Sequence, residues 1–252
     1  MILRRFTDSP REKVSRSHEK RFVSLTLEKK RILIQLRSKA FHVIRAIQTQ
    51  GNFRAIVHGS IARGDVDKHS DVDISILDPI STFSIEYALD SSLQKIGIIG
   101  KRISMATPNH AVKGHLILDN GAELTIPLCS LKQREIDFYK FSGFLTLNEL
   151  EDEKQLIRVC GVNKRLLFIE PTEKGHWETS ILGKENEAAR VARKLQIDID
   201  VVKERVRVLS RRDQRGRTGQ FISRKVPADS HFESILKELQ DRNPAVRRRL
   251  KN

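Results

Sequence analysis

The chain has 252 residues, of which 38% are hydrophobic, and it carries 47 Lys and Arg against 32 Asp and Glu, a formal charge of +15. That length is enough for one large domain or two ordinary ones with a real core. No run approaches the ~18 consecutive apolar residues of a membrane span, and no secretory apolar core follows MILRRF, so a cytoplasmic protein without membrane contact is expected.

In chain order, residues 1–16 are polar and basic and are expected to fray. Phe22, Leu25, Ile32, Leu36, Phe41 and Ile44 recur at helical intervals, which predicts helix between Glu19 and Gln48. Gly51-Asn52 breaks it, and Phe53–His58 reads as a strand running into Gly59-Ser60 and a small helix. A polar loop leads to the strand Asp71–Leu77, then to a helix over 82–97 and a strand over Lys101–Ala106. His115–Leu118 and Ala122–Leu128 flank Asn120-Gly121, a strong hairpin signal, with Asp119 as turn chemistry beside it. Residues 131–160 read as mostly helical, Lys164–Glu170 as a strand stopped by Pro171, and Gly175-His176-Trp177 as loop. Cys129 and Cys160 make neither a four-thiolate zinc site nor a disulfide framework and read as small buried side chains.

The charge is unevenly placed. Residues 1–45 carry +9 and 184–252 carry +9, while 46–183 carry −3. Basic flanks around an acidic centre suit a polyanion gripped at the ends, so nucleic acid is the expected partner. The reading divides the chain into a helical segment (1–50), a central core (51–170) and a basic module with its tail (171–252), the boundary lying near 171–184.

The chemistry is concentrated between His58 and Ile74. Gly59 allows a sharp turn and close approach of a ligand. Ser60 and the backbone N–H groups that follow suit a phosphate. Asp71 and Asp73, two apart on a strand, point to one face, with Val72, Ile74 and Ile76 turned to the core. Two hard-oxygen ligands opposite a phosphate cradle make a site for Mg²⁺ with a nucleoside triphosphate. A Gly-Ser alone is a turn, and an Asp-x-Asp alone is a solvated strand face; their order and spacing between two apolar runs carry the signal.

The run Gly59-Ser60, Ala62-Arg63-Gly64, Ser70-Asp71, Asp73 closely resembles the signature of the DNA-polymerase-β-like nucleotidyltransferase superfamily. The resemblance covers roughly residues 30–130. It implies an α+β fold, a small mixed sheet with helices on one side. It also implies Gly59, Ser60 and Arg63 at the nucleotide, and Asp71 and Asp73 holding two divalent ions. The reaction implied is attack of an acceptor hydroxyl on the α-phosphate of an NTP, with pyrophosphate leaving. Family members usually carry a third acid on a following strand. Against the CCA-adding branch that acid aligns with Thr125, and Glu123 lies two residues earlier on the same face, so either Glu123 serves as the third catalytic carboxylate or that ligand is missing.

Beyond residue 183 the pattern is helix (Glu185–Leu195), turn, a second helix that Asp200 is placed to cap, and a basic stretch, Arg211–Ile222, read as two short strands around a glycine turn. This resembles a winged helix-turn-helix over 183–228, with Lys203, Arg207, Arg211, Arg212, Arg215 and Arg217 as nucleic-acid contacts. His58 is expected to pack at the strand end, His69 to be exposed, and His110, His115 and His176 show no metal spacing. Trp177 suits base stacking or a place in a core between domains. The leading expectation is a metal-dependent nucleotidyltransferase with a nucleic-acid acceptor; the rival is a nucleic-acid-binding regulator whose transferase domain senses nucleotide or is inert.

Overall fold

The computed structural model describes residues 13–17, 19–93, 95–151, 156–183, 186–216 and 219–251. A short strand, β1 (Arg21–Ser24), precedes helix α1 (Leu27–Gln48). The helix expected from Glu19 therefore begins at Leu27, where Thr26 accepts a hydrogen bond from the Lys29 N–H at 3.3 Å and Glu28 sits in the first turn. The chain continues through β2 (Ala55–His58), α2 (Ser60–Arg63), β3 (Val72–Ile76), α3 (Thr82–Ser91), β4 (Ile98–Met105), β5 (Lys113–Leu118) and β6 (Ala122–Pro127). Next come α4 (Gln133–Ser142), β7 (Phe144–Thr146), α5 (Leu147–Glu151), β8 (Gly161–Val162), β9 (Leu167–Thr172) and β10 (Gly175–Ser180). The last elements are α6 (Glu187–Leu195), α7 (Ile199–Arg215), β11 (Ile222–Val226), α8 (Phe232–Arg242) and α9 (Pro244–Lys251).

Seven strands form a mixed sheet in the order β11-β4-β5-β6-β3-β2-β7, parallel only between β3 and β6. Its apolar face carries Val57, Ile74, Leu124, Leu116 and Ile103 and packs on Leu33, Ile44 and Ile47 of α1 and Ile85 and Leu89 of α3. Each of these buried side chains contributes about 1.5–3 kcal/mol relative to exposure. This is the expected α+β core. The expectation of helices on one side is only partly met, because α4 covers part of the opposite face through Tyr139, packed with Ile56 and Leu77. A second, antiparallel sheet, β1-β10-β9-β8, shares a separate core (Phe168, Val162) with Val191 of α6 and Val201, Val202 and Leu209 of α7.

Several local expectations are corrected. The helix read over 82–97 ends at Ser91, and within 131–160 the described helices are only α4 and α5. β9 runs through Pro171, which pairs with His176; the two-residue β8 reaches only Phe168 and Ile169, so Pro171 has a neighbouring strand on one side alone. Gly175-His176-Trp177 is strand, not loop, because β1 and β9 flank it. The expected hairpin over 211–222 does not form. Arg211–Arg215 continue α7 until Gly216 (φ +86), and Ile222, Arg224 and Val226 extend the large sheet beside β4. Asp198, not Asp200, caps α7, accepting from the Asp200 N–H at 2.8 Å. No described helix is long and apolar enough to cross a membrane.

Candidate active site

β2 ends at His58, and Gly59 takes φ +81 and ψ −144, a conformation open in practice to glycine alone. No atom lies within 4 Å of where a Cβ would stand on Gly59, so the backbone requires the glycine and the space beside it is open to a ligand. The turn is held from several directions. The Gly59 N–H donates to the Gly143 carbonyl at 3.0 Å, and the Val159 N–H reaches the Ala62 carbonyl at 3.2 Å. Arg37, from the buried side of α1, donates to the carbonyls of Ile61 (2.9 Å) and Ala62 (3.2 Å). Burial, with the nearby Arg158 charge, takes its guanidinium down to about 10. Gly64 (φ +90) lies under the Arg158 stem, where a Cβ would stand 2.4 Å from Arg158 Cδ.

Arg63, expected at the nucleotide, is only 4% exposed and faces the protein. It donates to the Ser142 carbonyl at 2.6 Å and to Asp65 at 3.0 Å, so its charge is committed to holding the turn. Ser60 opens α2 at the partly exposed rim of the turn.

The opposite wall is β3. Asp71 is exposed just before the strand, and Asp73 is half-buried within it. Strand register sets Asp73 beside His58 on β2 and beside Glu123 on the parallel strand β6. Burial, reinforced by the charges of Glu123 and Asp71 and opposed by Lys164, pushes the Asp73 carboxyl up to about 6. Lys164 is exposed in the turn between β8 and β9, so the small sheet presents a cation to this cluster.

Glu123 is tied to β5 and β4. His115 Nδ1 lies 2.8 Å and Arg102 Nη2 3.5 Å from its carboxylate. Burial would raise the Glu123 carboxyl, but the His115 hydrogen bond and the charges of His115 and Arg102 hold it below the ordinary glutamate range. His115 Nε2 lies 2.7 Å from the Ser104 hydroxyl. Burial drives the His58 imidazole down to about 3, with Lys113 and Arg63 adding to the shift. Its Nε2 lies 3.0 Å from the Ser75 hydroxyl and its ring meets Tyr139 edge-on, in keeping with a packing role.

Asp71 and Asp73 supply hard oxygens in a cluster whose mutual repulsion a divalent cation relieves, so the donor set fits such an ion. Among the described residues, no three His, Cys, Asp or Glu side chains close around one point as a finished cage.

The family model described as nucleotidyltransferase domain matches residues 42–174, just over half of the chain. The chain belongs to this nucleotidyltransferase family. No curated protein and no solved structure matches it. The nucleotidyltransferase assignment covers the Gly59 turn, β3, β6 and, of the small sheet, β8 and β9. It accounts for a domain built to transfer a nucleoside monophosphate from an NTP.

The basic residues expected to contact nucleic acid lie outside that match. Lys203, Arg207, Arg211 and Arg215 recur every fourth residue on an exposed face of α7, and Arg212 is exposed beside them. Arg217 lies outside the described residues. Sequence reasoning missed Arg37 and His115 as supports of the candidate site. Arg37 interrupts the apolar series Leu33, Ala40, Ile44, Ile47 on α1, and a cation in a buried stripe signals a partner. Register across Asn120-Gly121 places His115, Ile117, Glu123 and Thr125 on one face.

Proposed function

We propose that the protein transfers a nucleoside monophosphate from an NTP to a hydroxyl group on nucleic acid, with Mg²⁺ held by Asp71 and Asp73. The observation that carries the reading is the facing of two elements: an open glycine turn for the triphosphate, and beside it a carboxylate pair in which burial, helped by the charges of Glu123 and Asp71, lifts Asp73 to about 6. Bound divalent ions would supply charge neutralisation of the phosphates and of the attacking oxygen. The chain's own part is positioning. Ser60 and the start of α2 meet the phosphates, and Lys164 adds positive charge from the small sheet. Arg37, Arg63 and Gly143 fix the turn that presents them. The acceptor hydroxyl loses its proton to water as its oxygen bonds to the α-phosphorus, the bond from the α-phosphorus to the bridging oxygen breaks, and pyrophosphate leaves with that oxygen. The basic flanks and the exposed α7 cations support a polyanionic acceptor.

A second reading, a nucleic-acid-binding regulator with a nucleotide-sensing domain, is favoured by one observation: Glu123 is occupied by His115 and Arg102. The protein incubated with Mg²⁺, each α-labelled NTP and a lysate separates the two. Nuclease-sensitive label that is lost in Asp71→Ala is the expected result. Protease-sensitive label moves the acceptor to protein, and no label above the variant favours the regulator.

A further inference from the structure

Trp177, the one tryptophan of the chain, stands on the small sheet away from any core. It is 36% exposed and Phe22, opposite it on the edge strand β1, is 40% exposed. The two rings meet edge-on at 5.1 Å, and Lys20 Nζ lies 4.8 Å from the Trp177 ring centroid. The pair is rigidly mounted. A Cβ on Gly175 would come within 2.1 Å of the Val23 carbonyl, so β1 can lie this close on β10 only because that residue is glycine.

Exposed charge of both signs flanks the rings, Lys20 next to Glu19 and Lys174 next to Glu173. The acids nearest in the strand register are held internally, Glu170 by Arg190 at 3.4 Å and Glu178 by His176 at 3.3 Å, with Arg21 opposite Glu178 on the face of the sheet away from the rings. Lys174 is brought beside β1 by the Leu25 N–H bond to its carbonyl at 2.9 Å. The same sheet is coupled to the nucleotide turn. Arg158 lays its stem over Gly64 and donates to the carbonyls of Gly175 and Thr172.

We propose that Trp177 and Phe22 form a stacking platform for an unpaired base of a single-stranded nucleic acid, with Lys20 and Lys174 taking its phosphates. This rests on the nucleic-acid reading of the acceptor. Two large exposed rings suit a base, since every base offers a π-face whatever its identity, and Lys20, now over the Trp177 face, is placed to swing from the ring to a phosphate. An apolar protein partner would leave those two lysines desolvated and unpaired.

The test uses the full chain and short single-stranded RNA and DNA of mixed sequence. Trp177 emission is the direct readout, and anisotropy of the labelled oligonucleotide measures total binding. The expected result is saturable quenching whose midpoint matches the anisotropy curve. Trp177→Leu should weaken binding about tenfold, the scale of one stacked base, and Trp177→Phe should recover most of it. Oligonucleotide that binds without altering Trp177 emission, and equally well to Trp177→Leu, overturns the platform and leaves the acceptor reading standing. No binding by either readout overturns both. Quenching is measured on the unmodified protein, so the test holds even if a variant folds poorly.

Discussion

Between Val57 and Ile76 the chain builds its site from neighbours in sequence, whereas Ile222–Val226 finds its place only by pairing with β4, laid down far earlier in the chain. In the first region a glycine that must adopt positive φ, a one-turn helix and a strand with two-residue periodicity fix the carboxylates opposite the turn. In the second, helix α7 runs on through arginines that favour helix as readily as they suit a basic loop. The strand after it is attached by long-range hydrogen bonding, and Arg224 closes on Glu238 of α8 at 2.6 Å. Function set by local geometry is thus strongly coded, while function set by surface charge depends on where distant pairing leaves that charge.

Variants can break this contrast. Asp71→Ala should reduce transfer on the order of 10³-fold with the fold intact, read by label incorporation and circular dichroism. Arg37→Met leaves the Ile61 carbonyl without its buried donor and should cost about 1–3 kcal/mol in denaturant unfolding, with transfer falling alongside. A variant as stable as wild type would show that the turn stands without α1. Gly64→Ala meets both a positive φ and the Arg158 stem, and a loss of about 1–3 kcal/mol is expected. The α7 surface sharpens the other side of the comparison. Replacing Lys203, Arg207, Arg211 and Arg215 together by Gln should leave stability unchanged. It should also make the salt dependence of nucleic-acid binding shallower, by about 0.7–0.9 for each phosphate that α7 no longer neutralises. An unchanged slope would remove α7 from the interface.

The sequence made legible what short-range physics decides. The strand into Gly59, the strand that carries Asp73 and the Asn120-Gly121 hairpin, where Gly121 has φ +85, are all found within two residues of the expected bounds, with Asp71 just outside its strand. The basic stripe of α7 was legible only in part, since Arg215 reads as part of a basic hairpin until the helix is seen to run on to it. What was not legible depends on partners remote in sequence. Phe22 and Val23 look like part of a helical series until β10 offers an edge. Pro171 looks like a stop until β8 proves too short to need its N–H. Arg63 fits the motif of a nucleotide contact, and only the packing of Ser142 and Asp65 around it turns it inward. Glu123 was legible as a strand acid and a candidate third carboxylate, but its place beside Asp73 and its engagement by His115 and Arg102 required the strand order.

Asp73→Asn offers the most direct measurement, because it joins stability to transfer in one residue. The Asp73 carboxyl sits near 6 against an ordinary 3.8. Between those values the folded protein keeps a proton that the unfolded chain has released, so stability falls as pH rises through that window and stays lowered above it. Removing the charge should therefore raise stability at neutral pH on the order of 1–3 kcal/mol, an advantage that fades as pH falls from about 6 to about 4 and is gone below that. The account predicts a variant that melts higher than wild type at neutral pH and transfers no label from an α-labelled NTP. A variant that keeps its transfer activity would contradict the assigned site.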